Sequence, residues 1–176
     1  MTIASLPVIL LAAGASTRMR GRDKLMEDVQ GQPLLRRQAR LAQSIGPVTV
    51  ALPPAPHPRY TALSGLDVTA LPVPDAAEAD MPELEIGDLA QLAASVDLES
   101  DMLIWRATTD DGRPGHPIIF AAALFDQLKH LRGDDGGRAV VRDAAGRVQL
   151  VPLPGQRARL DLDTPEDWAA WRDRQQ

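Results

Sequence analysis

Short apolar runs alternate along the chain with segments whose apolar residues recur every three or four positions, and Gly, Pro and Asp mark most of the breaks. The first run, residues 5–12, predicts a strand, and an uninterrupted apolar stretch of that length suits one buried on both faces. Pro33 opens a helix through Leu34, Leu35, Ala39, Leu41 and Ala42, with Gly46 placed to end it. A second strand follows over residues 48–52 and is broken by Pro53-Pro54-Ala55-Pro56. A brief helix at 59–63 leads to a strand at 68–73. Further on, the pattern predicts a helix at 86–95, extended chain at 102–107 and 118–120, helices at 122–131 and 137–144, and a strand at 147–152. Near the end, Thr164 is a natural N-cap, with Pro165 at the first helical position and Asp167 two residues later, a variant of the capping box. Such alternation predicts right-handed βαβ units in a mostly parallel sheet, an α/β fold. No internal repeat interrupts it.

Composition narrows the field. With 176 residues the expectation is one domain over residues 1–176, and 44% hydrophobic residues supply an ordinary core. A net charge of −5 argues against a nucleic-acid or membrane-surface partner. The absence of cysteine removes disulfides and thiolate metal sites and suits a reducing, cytoplasmic setting. Residues 1–13 lack the basic start of a signal peptide, and no apolar stretch approaches bilayer length.

The chemistry concentrates at the end of the first strand, where Leu11-Ala12-Ala13-Gly14-Ala15-Ser16-Thr17-Arg18-Met19 is followed by Lys24. In an open α/β sheet, ligands bind at the carboxyl ends of the strands. Gly14 offers backbone freedom that lets successive N–H groups converge on an anion. Arg18 and Lys24 add charge, one as a fork and one as a point. The loop suits a nucleoside triphosphate, although it is not a P-loop and lacks the first Rossmann glycine.

This Leu-Ala-Ala-Gly-x-Ser-x-Arg-Met signature, with Lys five positions after the Met, resembles that of the nucleotidyltransferases that finish the molybdenum cofactor, and among them the molybdenum cofactor cytidylyltransferases. The resemblance implies a three-layer, Rossmann-like fold of the nucleotide-diphospho-sugar transferase type, within the glycosyltransferase-A-like superfamily. It also implies that the loop wraps the triphosphate, with Leu11, Ala12, Ala13, Gly14, Ser16, Arg18 and Lys24 as nucleotide-binding residues. Guanylyl enzymes tend to carry Gly where this chain has Ala13, so the resemblance leans to CTP over GTP. Arg20 departs from the pattern, standing where the family often has Gly.

Residues 72–86 contain no strand-like apolar run, yet Asp80-Met81-Pro82 resembles the Asp-Met-Pro that in the family caps a buried strand and holds Mg²⁺. The helix and strand that precede it in the family are absent, as is a Gly-Met-Ser-x-Ser-type nucleotide loop. We read this as two segments joined near Glu78–Ala79 with residues between them omitted; a true deletion is the alternative. The resemblance makes Asp80 a catalytic metal ligand and Asp161 a second metal candidate, while Asp163 serves mainly the following helix cap. Gly115-His116-Pro117 resembles the family's acceptor-pocket element. Arg138, in Gly133-Asp134-Asp135-Gly136-Gly137-Arg138, resembles the arginine of a loop that closes over the acceptor. His57 and His130 read as ordinary loop and helix-surface residues, and Trp168 and Trp171 as packing anchors.

The expected activity is transfer of CMP from CTP to the terminal phosphate of molybdopterin, with Mg²⁺ and release of pyrophosphate, and with Arg18, Lys24 and Asp80 in catalytic roles. The acceptor loaded in this way would pass to a molybdoenzyme. Alternatives are a GTP-dependent guanylyltransferase, a sugar-phosphate cytidylyltransferase, or a non-catalytic module that binds and delivers the cofactor.

Overall fold

A computed structural model describes residues 5–73, 81–130 and 137–175. Asp80, the Glu78–Ala79 junction and the run from Gly133 to Gly136 therefore lie outside the described residues. The chain forms two compact units, one from Met1–Ile86 with Leu160–Gln176 and the other from Gly87–Arg159.

The first unit holds a parallel sheet in the order β1 (Val8–Leu11), β4 (Val48–Leu52) and β5 (Val68–Pro72). Val8 pairs with Val48 and Val48 with Val68. Helix α1 (Leu34–Gln43) buries Leu34, Leu35, Ala39 and Ala42 in the same core as Leu10, Val48, Val50 and Leu52. Helix α2 (Pro58–Ala62) starts with Pro58 at its first position, and α6 (Pro165–Arg174) adds Trp168 and Trp171 to the core. The two indoles meet edge to face at 5.8 Å. Their N–H groups donate to the Leu162 carbonyl and to Glu83 Oε1, both at 3.0 Å. They are packing anchors.

Strand β1 departs from the expectation of burial on both faces. Leu10 is buried, but Ile9 is 70% and Leu11 38% exposed, so among the described residues only one face is covered. A hairpin of β2 (Asp28–Val29) and β3 (Gln32–Pro33) also appears where no strand was expected. Its turn residues, Gln30 and Gly31, both have positive φ, which suits the twist of a two-residue hairpin.

In the second unit β6 (Ile104–Thr108) is central, antiparallel to β7 (Pro114–Phe120) and parallel to β8 (Val148–Pro152). One face of β6 sets Trp105 against Leu92 of α3 (Ile86–Ala94) and Val151. The other sets Ile104 against Leu124, Val140 and Ala144, with Leu128 at their margin. These come from the short α4 (Phe125–Lys129), α5 (Arg138–Asp143) and their flanking turns. The layers are helix, sheet, helix. The Gly115-His116-Pro117 element lies inside β7 rather than ahead of it, because β7 is longer than the apolar run of residues 118–120.

Candidate functional site: the loop after the first strand

Beyond Leu11 the chain makes one more sheet-like contact, Ala12 N–H to the Ala51 carbonyl at 2.8 Å, and then leaves the sheet. Ala12 and Ala13 are buried, so only small side chains fit there. The left-handed backbone falls on Ser16 (φ 47°), Arg20 (φ 54°) and Gly21 (φ 86°), downstream of Gly14, where the sequence placed the conformational freedom. For a non-glycine residue this conformation costs roughly 1–2 kcal/mol. Ser16 is held in it by its hydroxyl, whose Oγ accepts from Lys24 N–H and from Arg59 Nη2, both at 3.3 Å. Arg20 stands at the position where the resemblance expects Gly, and its φ shows why glycine is favoured there. Its guanidinium reaches Glu166 Oε1 at 2.7 Å on the surface.

Residues 13–17 wall a cavity of about 510 Å³, whose remaining lining includes Gly21, Arg22, Asp23, His57 and Arg59. Among the described residues, the N–H groups of Ala13, Gly14 and Ala15 donate to no protein acceptor. Three consecutive amides with no protein acceptor among the described residues, in residues that line a cavity at a strand's carboxyl end, are the kind of donors an anion site uses.

The loop is braced from behind by Arg59, which is 2% exposed. Its Nε and Nη2 donate to the two carboxylate oxygens of Asp23 at 2.8 and 2.7 Å, and Nη1 donates to the Ala12 carbonyl at 2.8 Å. One planar fork thus ties the loop's entrance to its exit. Sequence reasoning missed Arg59, Asp23, Arg22 and His57. Asp23 inside the signature was a cue, because a carboxylate there calls for a cation, but nothing local says which one. His57 caps α2, its Nδ1 accepting from Arg59 N–H at 3.3 Å, and it also borders the cavity.

Arg18 and Lys24 are brought together, but on Asp163. Lys24 Nζ lies 3.1 Å from Asp163 Oδ1 and 3.7 Å from Asp161 Oδ1, with the lysine side chain only 7% exposed. Arg18 Nη1 pairs with the other oxygen of Asp163 while 67% exposed. Neither borders the cavity; of the two cations that do, Arg59 is paired with Asp23 in the same lining and Arg22 lies 3.6 Å from Glu27. Asp163 also belongs to the start of α6, as its place beside the cap implied. The capping box itself forms: Thr164 Oγ1 accepts from Asp167 N–H at 3.2 Å and Thr164 N–H donates to Asp167 Oδ2 at 2.9 Å.

In the second unit, His116 and Arg138 come together with two cations the sequence did not single out, Arg106 and Arg159. Desolvation of the imidazole and the charges of Arg106 and Arg138 lower the His116 pKa, an effect moderated by solvent because the residue is exposed. Gly115 is required sterically: a Cβ there would run into the Ala158 carbonyl. Pro117 continues β7.

Among the described residues, no group of three or more His, Asp or Glu side chains could hold a metal ion. Asp161 offers one half-exposed carboxylate. A magnesium ion commonly takes one or two carboxylates and completes its shell with water and substrate phosphates, so Asp161, whose contact with Lys24 is the longer one at 3.7 Å, fits better than Asp163 as a single ligand. Asp163 is held by both Arg18 and Lys24. No described helix is long and apolar enough to cross a membrane.

The profile of the MobA-like NTP transferase domain matches residues 8–79 and 76–149, two stretches that meet at 76–79. The chain belongs to this family. It is therefore a nucleotidyltransferase-type protein that acts on nucleoside triphosphates. No curated protein matches it in sequence. Solved structures do match in fold. Rv0371c of Mycobacterium tuberculosis H37Rv is 21% identical, with a TM-score of 0.75 over 97% of this chain and 99% of that one. It has also been solved with manganese. A Methanothermobacter nucleotidyl transferase, Mth528, is 17% identical with a TM-score of 0.71 over 97% and 98%. A CMP:2-keto-3-deoxy-manno-octonic acid synthetase complexed with CTP is 12% identical with a TM-score of 0.69, again over 97% and 98%. These likenesses agree with the Rossmann-like α/β fold.

Proposed function

We propose that the protein transfers CMP from CTP to the terminal phosphate of a molybdopterin-type acceptor, releasing pyrophosphate. The observation that carries this is the cavity at the end of β1, lined by three residues whose amides have no protein acceptor among the described residues and by Arg22 and Arg59. Ala13, in that lining, puts a methyl group where the guanylyl enzymes tend to have none, and this supports the pyrimidine nucleotide.

In this mechanism the amides of Ala13, Gly14 and Ala15 orient the triphosphate. The exposed Arg22 and Arg18 can turn to it, the first from Glu27 and the second from Asp163. An oxygen of the acceptor phosphate attacks the α-phosphorus in line, the bond from that phosphorus to the β-phosphate oxygen breaks, and pyrophosphate leaves with the electron pair. No protein base is needed, because a phosphate monoester is largely dianionic at neutral pH, with a second pKa of about 6. Lys24 fixes Asp163 and the loop's far end, and Arg59 fixes its entrance, so the protein's contribution is positioning and charge. Asp80 and Asp161 would hold Mg²⁺, which when bound neutralises charge on phosphate oxygens. His116, Gly115, Pro117 and Arg138 serve the acceptor.

Incubation with CTP or GTP, Mg²⁺ and a molybdopterin-type acceptor tests the reading through pyrophosphate release. Release with CTP and not GTP is expected. Release with GTP alone overturns the nucleotide assignment. One observation favours a second reading, a non-catalytic carrier: Lys24 and Arg18 spend their charge on Asp163 rather than on the cavity. Tight CTP binding with no pyrophosphate release under any condition would decide for the carrier.

A further inference from the structure

The second unit carries a cationic cluster to which the reading above gives only part of a role. Arg106, on β6, donates from Nε to the Gly115 carbonyl at 2.9 Å. Arg159 donates from Nη1 to the Pro114 carbonyl at 2.9 Å. Two guanidiniums are thus anchored on consecutive peptide groups of one strand, each by one of its five N–H donors. The strand itself is pinned: His116 N–H donates to the Ala158 carbonyl at 2.8 Å, and Gly115 is the residue that permits this approach. Arg106 and His116 each feel Arg138 as a like charge, and Arg106 feels Arg159 as well.

Cations rarely gather without an anion. Among the described residues, none of Arg106, Arg138 and Arg159 forms an ion pair. The nearby carboxylate Asp111 is taken by Arg113 at 2.7 Å. Burial lowers the Arg106 pKa, and its two arginine neighbours lower it further. Arg106 is half-buried, whereas Arg138 and Arg159 are exposed, so water screens their repulsion and the three guanidiniums present a positive patch to solvent, open to an anion.

The geometry points to Arg106 and Arg159, with Arg138 and His116, as a binding site for a phosphate monoester dianion, the terminal phosphate of the acceptor. This rests on the nucleotidyl-transfer reading for the name of the ligand, while the site stands on the cluster alone. Backbone-tethered guanidiniums suit such a ligand, since a planar fork can give two parallel bonds to phosphate oxygens. The same chemistry could instead take a phosphate of the nucleotide, and the test separates the two.

The chain has three histidines, so His116 can be followed by NMR in the intact protein. Inorganic phosphate is the probe. Saturating phosphate is expected to raise the apparent pKa of His116, because the dianion offsets the surrounding cations. Arg106→Gln and the surface variant Arg159→Gln should each weaken phosphate binding about tenfold, while CTP affinity by calorimetry stays within about twofold of wild type. A His116 resonance indifferent to phosphate, or variants that bind it as wild type does, would overturn the site. Variants that lose CTP affinity and keep phosphate binding would reassign the cluster to the nucleotide and overturn the acceptor role. Phosphate binding at His116 in a protein that releases no pyrophosphate would sink the transfer reading and leave the site standing.

Discussion

Replacing Arg59 by Met is the sharpest test of how the loop is held. The guanidinium is 2% exposed and makes the two bonds to Asp23 and the bond to the Ala12 carbonyl. Methionine fills much of the same space but leaves a carboxylate and a carbonyl without their donor. Deleting one partner of a buried pair costs about 3–5 kcal/mol. Asp23 remains 23% exposed, so water recovers part of that, and the expected loss is about 2–4 kcal/mol. Urea unfolding followed by circular dichroism should show the midpoint fall with an unchanged slope. A cycle with Asp23→Leu isolates the pair, because removing both charges leaves no orphan carboxylate. The double variant should therefore be more stable than the two single losses added together, by about 1–3 kcal/mol. CTP affinity should drop in Arg59→Met even where the protein is folded, since Ala12 and Ser16 lose their common anchor. A stability loss below about 1 kcal/mol, or strict additivity, would refute the idea that this fork braces the loop.

Lys24→Met should cost about 1–3 kcal/mol, less than Arg59→Met, because Asp163 keeps Arg18 as a partner; urea midpoints measure it. Thr164→Ala removes the capping box and should cost about 1 kcal/mol, read as a lowered Tm. The side chain of Thr164 holds the Asp167 carboxyl below its ordinary 3.8, helped by the backbone N–H groups of Thr164 and Asp163 and by the charge of Arg18. A depressed carboxyl contributes stability that is complete above its unfolded value and disappears as pH falls through the folded one. Acid titration of Thr164→Ala should therefore show a shallower stability loss below about pH 4 than wild type. The same sign applies to Asp111, held at about 2 by Arg113 and Thr109, so Asp111→Asn should flatten the acid limb further. Gly115→Ala forces a methyl into the Ala158 carbonyl and should cost about 1–3 kcal/mol, checked by thermal melting before any acceptor measurement is interpreted.

Much of this was legible before the structure. The apolar run of residues 48–52 became β4 at the same bounds, because a central parallel strand buries both faces and shows no alternation. The Thr164–Asp167 box formed as read, since both of its partners are local. What failed was non-local. The run in β1 looks like that in β4, yet Ile9 is exposed, because exposure depends on what lies across the face and not on the run itself. The β2–β3 hairpin has too few residues for a period to register, and only Gln30-Gly31 hinted at its turn. Arg59 lies 36 positions from the carboxylate it grips, and no local pattern encodes such a partnership.

The division of labour among the loop's cations follows from exposure. Asp163 accepts from both Arg18 and Lys24, yet the two contacts differ in what it costs to break them. Arg18 is 67% exposed, and an ion pair of that kind is worth about 0–1 kcal/mol, so a phosphate entering the loop can take the guanidinium at little expense. Lys24 is 7% exposed, and pulling its ammonium away would strand charge where water does not reach. The fixed cation therefore keeps Asp163 in place while the mobile one is lent to the ligand. It follows that Arg18→Gln should weaken CTP binding and leave the urea midpoint almost unchanged, whereas Lys24→Met should lower the midpoint first. A variant pair showing the reverse pattern would place the mobile charge on Lys24 and contradict the burial.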